Sequence, residues 1–258
     1  AEFFWNEDSG RPLEELVPKL ADVVFLGGLG NNLQRTDRLC ELSGQLADMV
    51  PGANRAHVQR AAYLCKADLL TGLVGEFPDL QGVVGREIAL ANGEPAVVAE
   101  AVAEHYQPAG ADDDVPETLE GAVLSIADRI DVIVGCFALG MLPTGSQDPY
   151  ALRRNALGIL LILEQKGLDL RLETIISAAR EILAQNGTVC DEETAEKVRE
   201  FFRDRLYHAA IDRGYRHDFV RAVLAAGFDD VNDFWTRLAA LAECAMENWW
   251  TELVELVD

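Results

Sequence analysis

An all-α fold is what this sequence predicts. Apolar residues recur at three- and four-residue spacing almost throughout, and no segment sustains a two-residue alternation. Helix stop signals are regular: Gly27-Gly28-Leu29-Gly30-Asn31-Asn32, Pro51-Gly52 and Asn92-Gly93 each close an apolar-periodic run. The chain has 258 residues, 49% of them hydrophobic, which is enough for one large domain or two ordinary ones.

The periodicity places helices near 12–26, 35–50, 55–74, 84–92, 95–106, 117–139, 149–165, 171–185, 191–213, 216–226 and 231–256. The glycine cluster at 27–30 follows a helix in this reading, so it is a C-cap rather than a dinucleotide-binding turn. Gln107–Pro116, with three consecutive aspartates, is an acidic solvent loop. Pro143–Gln147 is a loop, and Asp148-Pro149 reads as an N-cap followed by the first helical position. Gly167 ends that helix and marks the expected boundary between a domain at 1–166 and a smaller helical one at 167–258. The chain opens with Ala, then an aromatic cluster, Phe3-Phe4-Trp5, so it is read as a piece of a longer polypeptide. Trp249-Trp250 is either a base-stacking platform or, as adjacent residues on different helix faces, part core and part interface.

A formal net charge of −22 argues against generic nucleic-acid binding, DNA included. The charge is uneven, −15 over residues 1–150 and −7 over 151–258. Lys197, Arg199, Arg203, Arg205, Arg213, Arg216 and Arg221 cluster in the second part, but interleaved carboxylates make a solvated helix surface the stronger reading. Five dispersed cysteines with no C-x-x-C pair suggest a reducing compartment, the cytoplasm. No apolar run reaches transmembrane length, and no basic leader opens the chain. Walker-type loops and Gly-x-Ser-x-Gly elbows are absent.

The 143–154 segment carries the clearest binding signal. Arg153 and Arg154 sit about one turn into a helix, where free N–H groups and guanidinium groups can hold a phosphate. The alternative is an ordinary loop-to-helix connection with solvated or carboxylate-paired arginines.

This segment and four further motifs, in order, resemble the β subunit of bacterial glycyl-tRNA synthetase. They are Arg60-Ala61-Ala62-Tyr63-Leu64-Cys65-Lys66-Ala67-Asp68-Leu69, Glu76-Phe77-Pro78-Asp79-Leu80-Gln81-Gly82-Val83-Val84-Gly85-Arg86, Glu104-His105-Tyr106-Gln107-Pro108 and Ala127-Asp128-Arg129-Ile130-Asp131. Phe3–Asp8 and Pro12–Glu15 also fit, and the likeness loosens beyond about residue 166. The resemblance implies a role in tRNA binding and subunit assembly, within a class II holoenzyme that uses ATP with Mg to charge glycine tRNA. The adenylate-forming site would lie on a separate α subunit, and this piece alone would be inactive, with no cofactor of its own and no DNA or membrane partner. The RNA contacts it suggests are Arg153 and Arg154, then Lys66 and Arg86.

Residues 37–131 also look like an HD-type metal phosphohydrolase scaffold, so the expected fold is an HD-domain-like helical bundle followed by a smaller helical domain. In that family a lone His, a His-Asp pair and a later Asp hold one metal. Here the pair is Ala67-Asp68, and the early position near Thr36 or Asp37 is not His. Asp68, His105 and Asp128 remain, too few imidazoles for the site, so a degenerate centre with no metal is expected. Capping or pairing with Arg129 or Lys66 is the plain expectation for Asp68, and a hydrogen-bonded, half-buried ring for His105. The rival readings are an HD-type metal-dependent phosphohydrolase and a non-catalytic helical interaction scaffold.

Overall fold

The computed structural model describes residues 2–145 and 147–247. Its helices are α1 (Glu2–Asp8), α2 (Asn32–Ala47), α3 (Arg55–Leu64), α4 (Gly72–Glu76), α5 (Val83–Ala91), α6 (Ala96–Glu104), α7 (Leu119–Ala138), α8 (Leu152–Gln165), α9 (Leu172–Gln185), α10 (Glu192–Asp212), α11 (His217–Ala226) and α12 (Val231–Cys244). The all-α expectation holds apart from one small hairpin, β1 (Val24–Leu26) with β2 (Gly30–Asn31). Trp249 and Trp250 lie outside the described residues.

Helix α7 is the axis of the molecule. It is apolar on nearly every side, so it is buried all round, and α2, α3, α6, α8, α9 and α10 pack against it. Its polar residues Glu120, Ser125, Asp128, Arg129 and Asp131 are therefore carried into the interior, where each needs a partner. The helices beyond Gly167 share this core: α9 packs on α2 and α7, and α10 on α7, α8 and α9. Among the described residues, no helix is long and apolar enough to cross a membrane.

Four expectations from sequence are corrected. The first predicted helix, 12–26, is two short 3-10 turns, Leu13–Glu15 and Val17–Asp22, running into β1. Pro12 and Pro18 remove helical donors there, and the Val23-Val24-Phe25 run favours extended backbone. The glycine cluster is the hairpin turn rather than a C-cap, with Gly28 and Gly30 at φ +95° and +83°. It leads to Asn31, whose side chain accepts the Gln34 N–H while Gln34 accepts the Asn31 N–H, so α2 starts at 32.

The long helix expected over 55–74 breaks after Leu64. A 3-10 turn at Ala67–Leu70 follows, and Thr71 in extended conformation caps α4. Helix α8 begins at Leu152, not at Pro149. Asp148 still caps it, from further back: its two carboxylate oxygens accept the Leu152 and Arg153 N–H groups at 2.8 and 2.9 Å. Ala151, at φ +53°, turns the chain into the helix.

Candidate functional site

The break in the 55–74 helix builds the centre of the first 166 residues. Cys65 ends α3, and the following 3-10 turn drops Lys66 and Asp68 inward. Lys66 is 2% exposed. Its ammonium donates to His105 Nε2 at 2.8 Å and to Asp128 Oδ2 at 3.1 Å, and lies 4.5 Å from the Tyr106 ring centroid. His105 stands just past the end of α6, and its Nδ1–H donates to the Val102 carbonyl at 2.6 Å. That bond fixes the tautomer in which Nε2 is the acceptor. Arg35 of α2 donates to the other Asp128 oxygen at 2.8 Å. Its guanidinium lies over the Phe25 ring, 3.9 Å from the centroid.

The electrostatics follow from this enclosure. Burial alone would raise the Asp128 carboxyl, but the Arg35 and Lys66 charges outweigh it and hold Asp128 far below the usual carboxylate range. Burial lowers Lys66, against the pull of Asp128. Burial, with the Lys66 ammonium behind it, pushes His105 well below the usual imidazole value. Folded His105 therefore stays neutral, whereas in the unfolded chain it takes up a proton near pH 6.5. Its contribution to stability is fully present above about pH 6.5. It is lost as pH falls from there towards the lowered folded value, by up to about 1.4 kcal/mol per pH unit. Denaturant titrations between pH 7.5 and 5 should show this slope, and His105→Gln should flatten it.

The arrangement does not fit a divalent metal. The ammonium of Lys66 occupies the place between His105 and Asp128 that an ion would take. Asp68 faces another way: it accepts the Gly82 N–H at 2.6 Å, at the start of α5. It pairs with neither Arg129 nor Lys66, so the ion-pair part of its expectation is corrected and the capping part stands. Burial raises its carboxyl. Among the described residues, no three His, Cys, Asp or Glu side chains converge as metal ligands. His105 is fully rather than half buried.

A second ion pair lies one helical turn further along the same two helices. Arg38 holds Asp131 through two bonds, Nε to Oδ1 at 2.7 Å and Nη2 to Oδ2 at 3.0 Å, and donates to the Leu29 carbonyl at 3.0 Å. Both side chains are almost wholly enclosed. Sequence reading did not find Arg35 or Arg38. The signal was there: arginines three apart on one helix match aspartates three apart on another.

Arg129 behaves differently from its neighbours. Its four hydrogen bonds go to neutral oxygens: Ser125 Oγ, Asn155 Oδ1 and the Tyr106 and Pro108 carbonyls. Gly158 of α8 makes room for it; a β-carbon there would come within 2.8 Å of Arg129 Cζ. Burial pushes Arg129 down to about 10; the Asp128 charge opposes this and the nearby Arg154 charge adds to it. Arg129, Arg154, Asn155, Tyr106, Gln81 and Asp79 are among the residues lining a cleft of about 490 Å³, with His105 and Asp128 also in its lining.

Arg154 is exposed, and Arg153, beside it, donates to the Gln147 carbonyl. Arg205 of α10 lies close enough for the Arg153 charge to lower it, after burial. Among the described residues, no carboxylate ion-pairs with Arg129, Arg153, Arg154 or Arg205. The other sequence candidates sit apart from this strip. Arg86 is paired with Glu87 and Glu100, and Lys66 is enclosed. Of the basic cluster on α10 and α11, Lys197, Arg199, Arg203, Arg213 and Arg216 all hold carboxylates.

The fold and its centre define a helical protein whose buried polar core is closed by its own charges and whose open arginines line the start of α8. Residues 1–225 match the family model described as the glycyl-tRNA synthetase beta subunit. The chain is similar to the glycine–tRNA ligase beta subunits of Geobacter sulfurreducens (48% identical over 242 residues) and Desulforamulus reducens (48% over 247). It is also similar to that of Geobacter metallireducens, 46% identical over 243 residues. Each comparison covers 94% of this chain and 35% of the relative. The chain belongs to the glycyl-tRNA synthetase β-subunit family, and spans about a third of the length of the curated relatives it matches.

Proposed function

We propose that this chain contributes tRNA binding and subunit assembly to the charging of tRNA with glycine, as part of a β subunit. Its partners in that reading are an α subunit and glycine tRNA. ATP, with Mg, is used at an adenylate-forming site on the α chain. The compartment is the cytoplasm. The observation that carries this reading is the 43–48% identity to glycine–tRNA ligase β subunits along almost the whole chain.

Within the chain, Arg153 and Arg154 are the candidate phosphate contacts. Asp148 already holds the first N–H groups of this helix, but neither guanidinium group ion-pairs with a carboxylate among the described residues, and guanidinium groups fit phosphate oxygens bidentately. Lys66 is a core residue in this reading, and Arg86 is occupied by glutamates. The phosphohydrolase rival is weakened by the lysine in the cation position.

Reconstitution tests the assignment. Glycylated tRNA should form only when the full-length β chain, the α chain, ATP and glycine are combined, while this chain alone forms none. Charging by the β chain without the α chain would refute it.

A further inference from the structure

We propose that the cleft between the 106–109 turn and α8 binds one phosphate-bearing nucleotide, an inference that rests on the tRNA reading and gives it a specific seat. The cleft is rich in donors. Arg154 stands at it with no ion pair among the described residues. Arg129 forms part of its lining and is bonded to no carboxylate among the described residues, although the Asp128 charge acts on it through space. The Tyr106 hydroxyl accepts from Gln81 Nε2 at 2.5 Å, which leaves its own hydrogen without a protein acceptor among the described residues.

Acceptors are scarce by comparison. Asp128 is neutralised by Arg35 and Lys66. Asp113 accepts the Ala109 N–H at 2.7 Å and is not in the lining, which leaves the exposed Asp79 as the lining carboxylate without an ion pair among the described residues. Two like charges facing one cleft disfavour each other. An anionic oxygen between them relieves that repulsion and accepts from both guanidinium groups and from the Tyr106 hydroxyl. A cleft of about 490 Å³ has room for a single nucleotide and not for a duplex. The nucleotide is either free or one unit of a single-stranded RNA.

The test uses the full-length β subunit without the α chain, so that no adenylate-forming site competes. Calorimetry compares cytidine 5′-monophosphate with cytidine, which differ only by the phosphate. The monophosphate should bind at least about tenfold tighter. Arg154→Glu, a surface change that leaves the melting temperature unaltered, should abolish that preference. Tyr106→Phe should weaken the monophosphate severalfold, while Arg171→Glu, on the unrelated start of α9, should change nothing. Displacement of the monophosphate by a short single-stranded RNA assigns the site to RNA; binding without displacement assigns it to free nucleotides. Equal binding of the two probes, or a preference that survives Arg154→Glu, overturns the inference. The tRNA reading stands or falls separately, on the reconstituted charging reaction.

Discussion

Arg38→Met is expected to destabilise the protein by about 3–5 kcal/mol, the usual cost of leaving one partner of a buried ion pair alone. Asp131 is 1% exposed, and Arg38 supplies both of its hydrogen bonds. Without Arg38 the carboxylate has neither a counter-charge nor water, and the Leu29 carbonyl loses its donor as well. The double variant Arg38→Met plus Asp131→Leu should recover most of the loss, because buried ion pairs often give way to apolar residues of like volume at little cost. Denaturant unfolding of the wild type and the two variants measures this. A double variant as unstable as the single one would show that the pair does more than neutralise itself.

Lys66→Met should cost about 3 kcal/mol, at the lower end of the same range. The loss is smaller because Arg35 still holds one oxygen of Asp128. What remains is a neutral imidazole whose Nε2 has lost its donor and a carboxylate with one bond fewer. The Tyr106 face also loses its cation. Lys66→Arg is no substitute, since a planar fork cannot take the place of a compact ammonium in an enclosed site. Thermal unfolding of both variants measures the effect; a melting temperature unchanged from wild type would remove Lys66 from the centre of the fold.

Most of the architecture was legible from apolar periodicity. Eight of the helices, α2 and α5 to α11, begin and end within three residues of their expected limits, because each runs between cap signals that are local in sequence. Where capping was misread, the cause was also local. Asp148 does cap α8, but Ala151 takes a left-handed conformation that no propensity favours, which moves the helix start to Leu152. The hairpin at 24–31 escaped because its strands are two and three residues long, too short for alternation to register.

The centre was less legible, for a different reason. Asp68, His105 and Asp128 are expected as relics of a metal site, yet the residue that unites two of them, Lys66, is expected only as an RNA contact or a partner of Asp68. Its burial depends on where the 55–74 helix breaks. Arg35 and Arg38 meet their aspartates across 93 residues of chain, a separation over which no local pattern operates. A helix as uniformly apolar as α7 nonetheless announces that Asp128 and Asp131 need interior cations. That requirement, followed through, points to arginines on whichever helix packs beside it.

The measurement that bears most directly on tRNA binding is steady-state charging by the holoenzyme carrying Arg153→Glu and Arg154→Glu. Reversing these two charges should raise the KM for glycine tRNA by an order of magnitude or more, at about 1–3 kcal/mol for charge-assisted contacts. The KM values for ATP and glycine, whose site the proposed function assigns to the α chain, should stay as they are. An unchanged KM for tRNA contradicts the assignment of this surface to RNA.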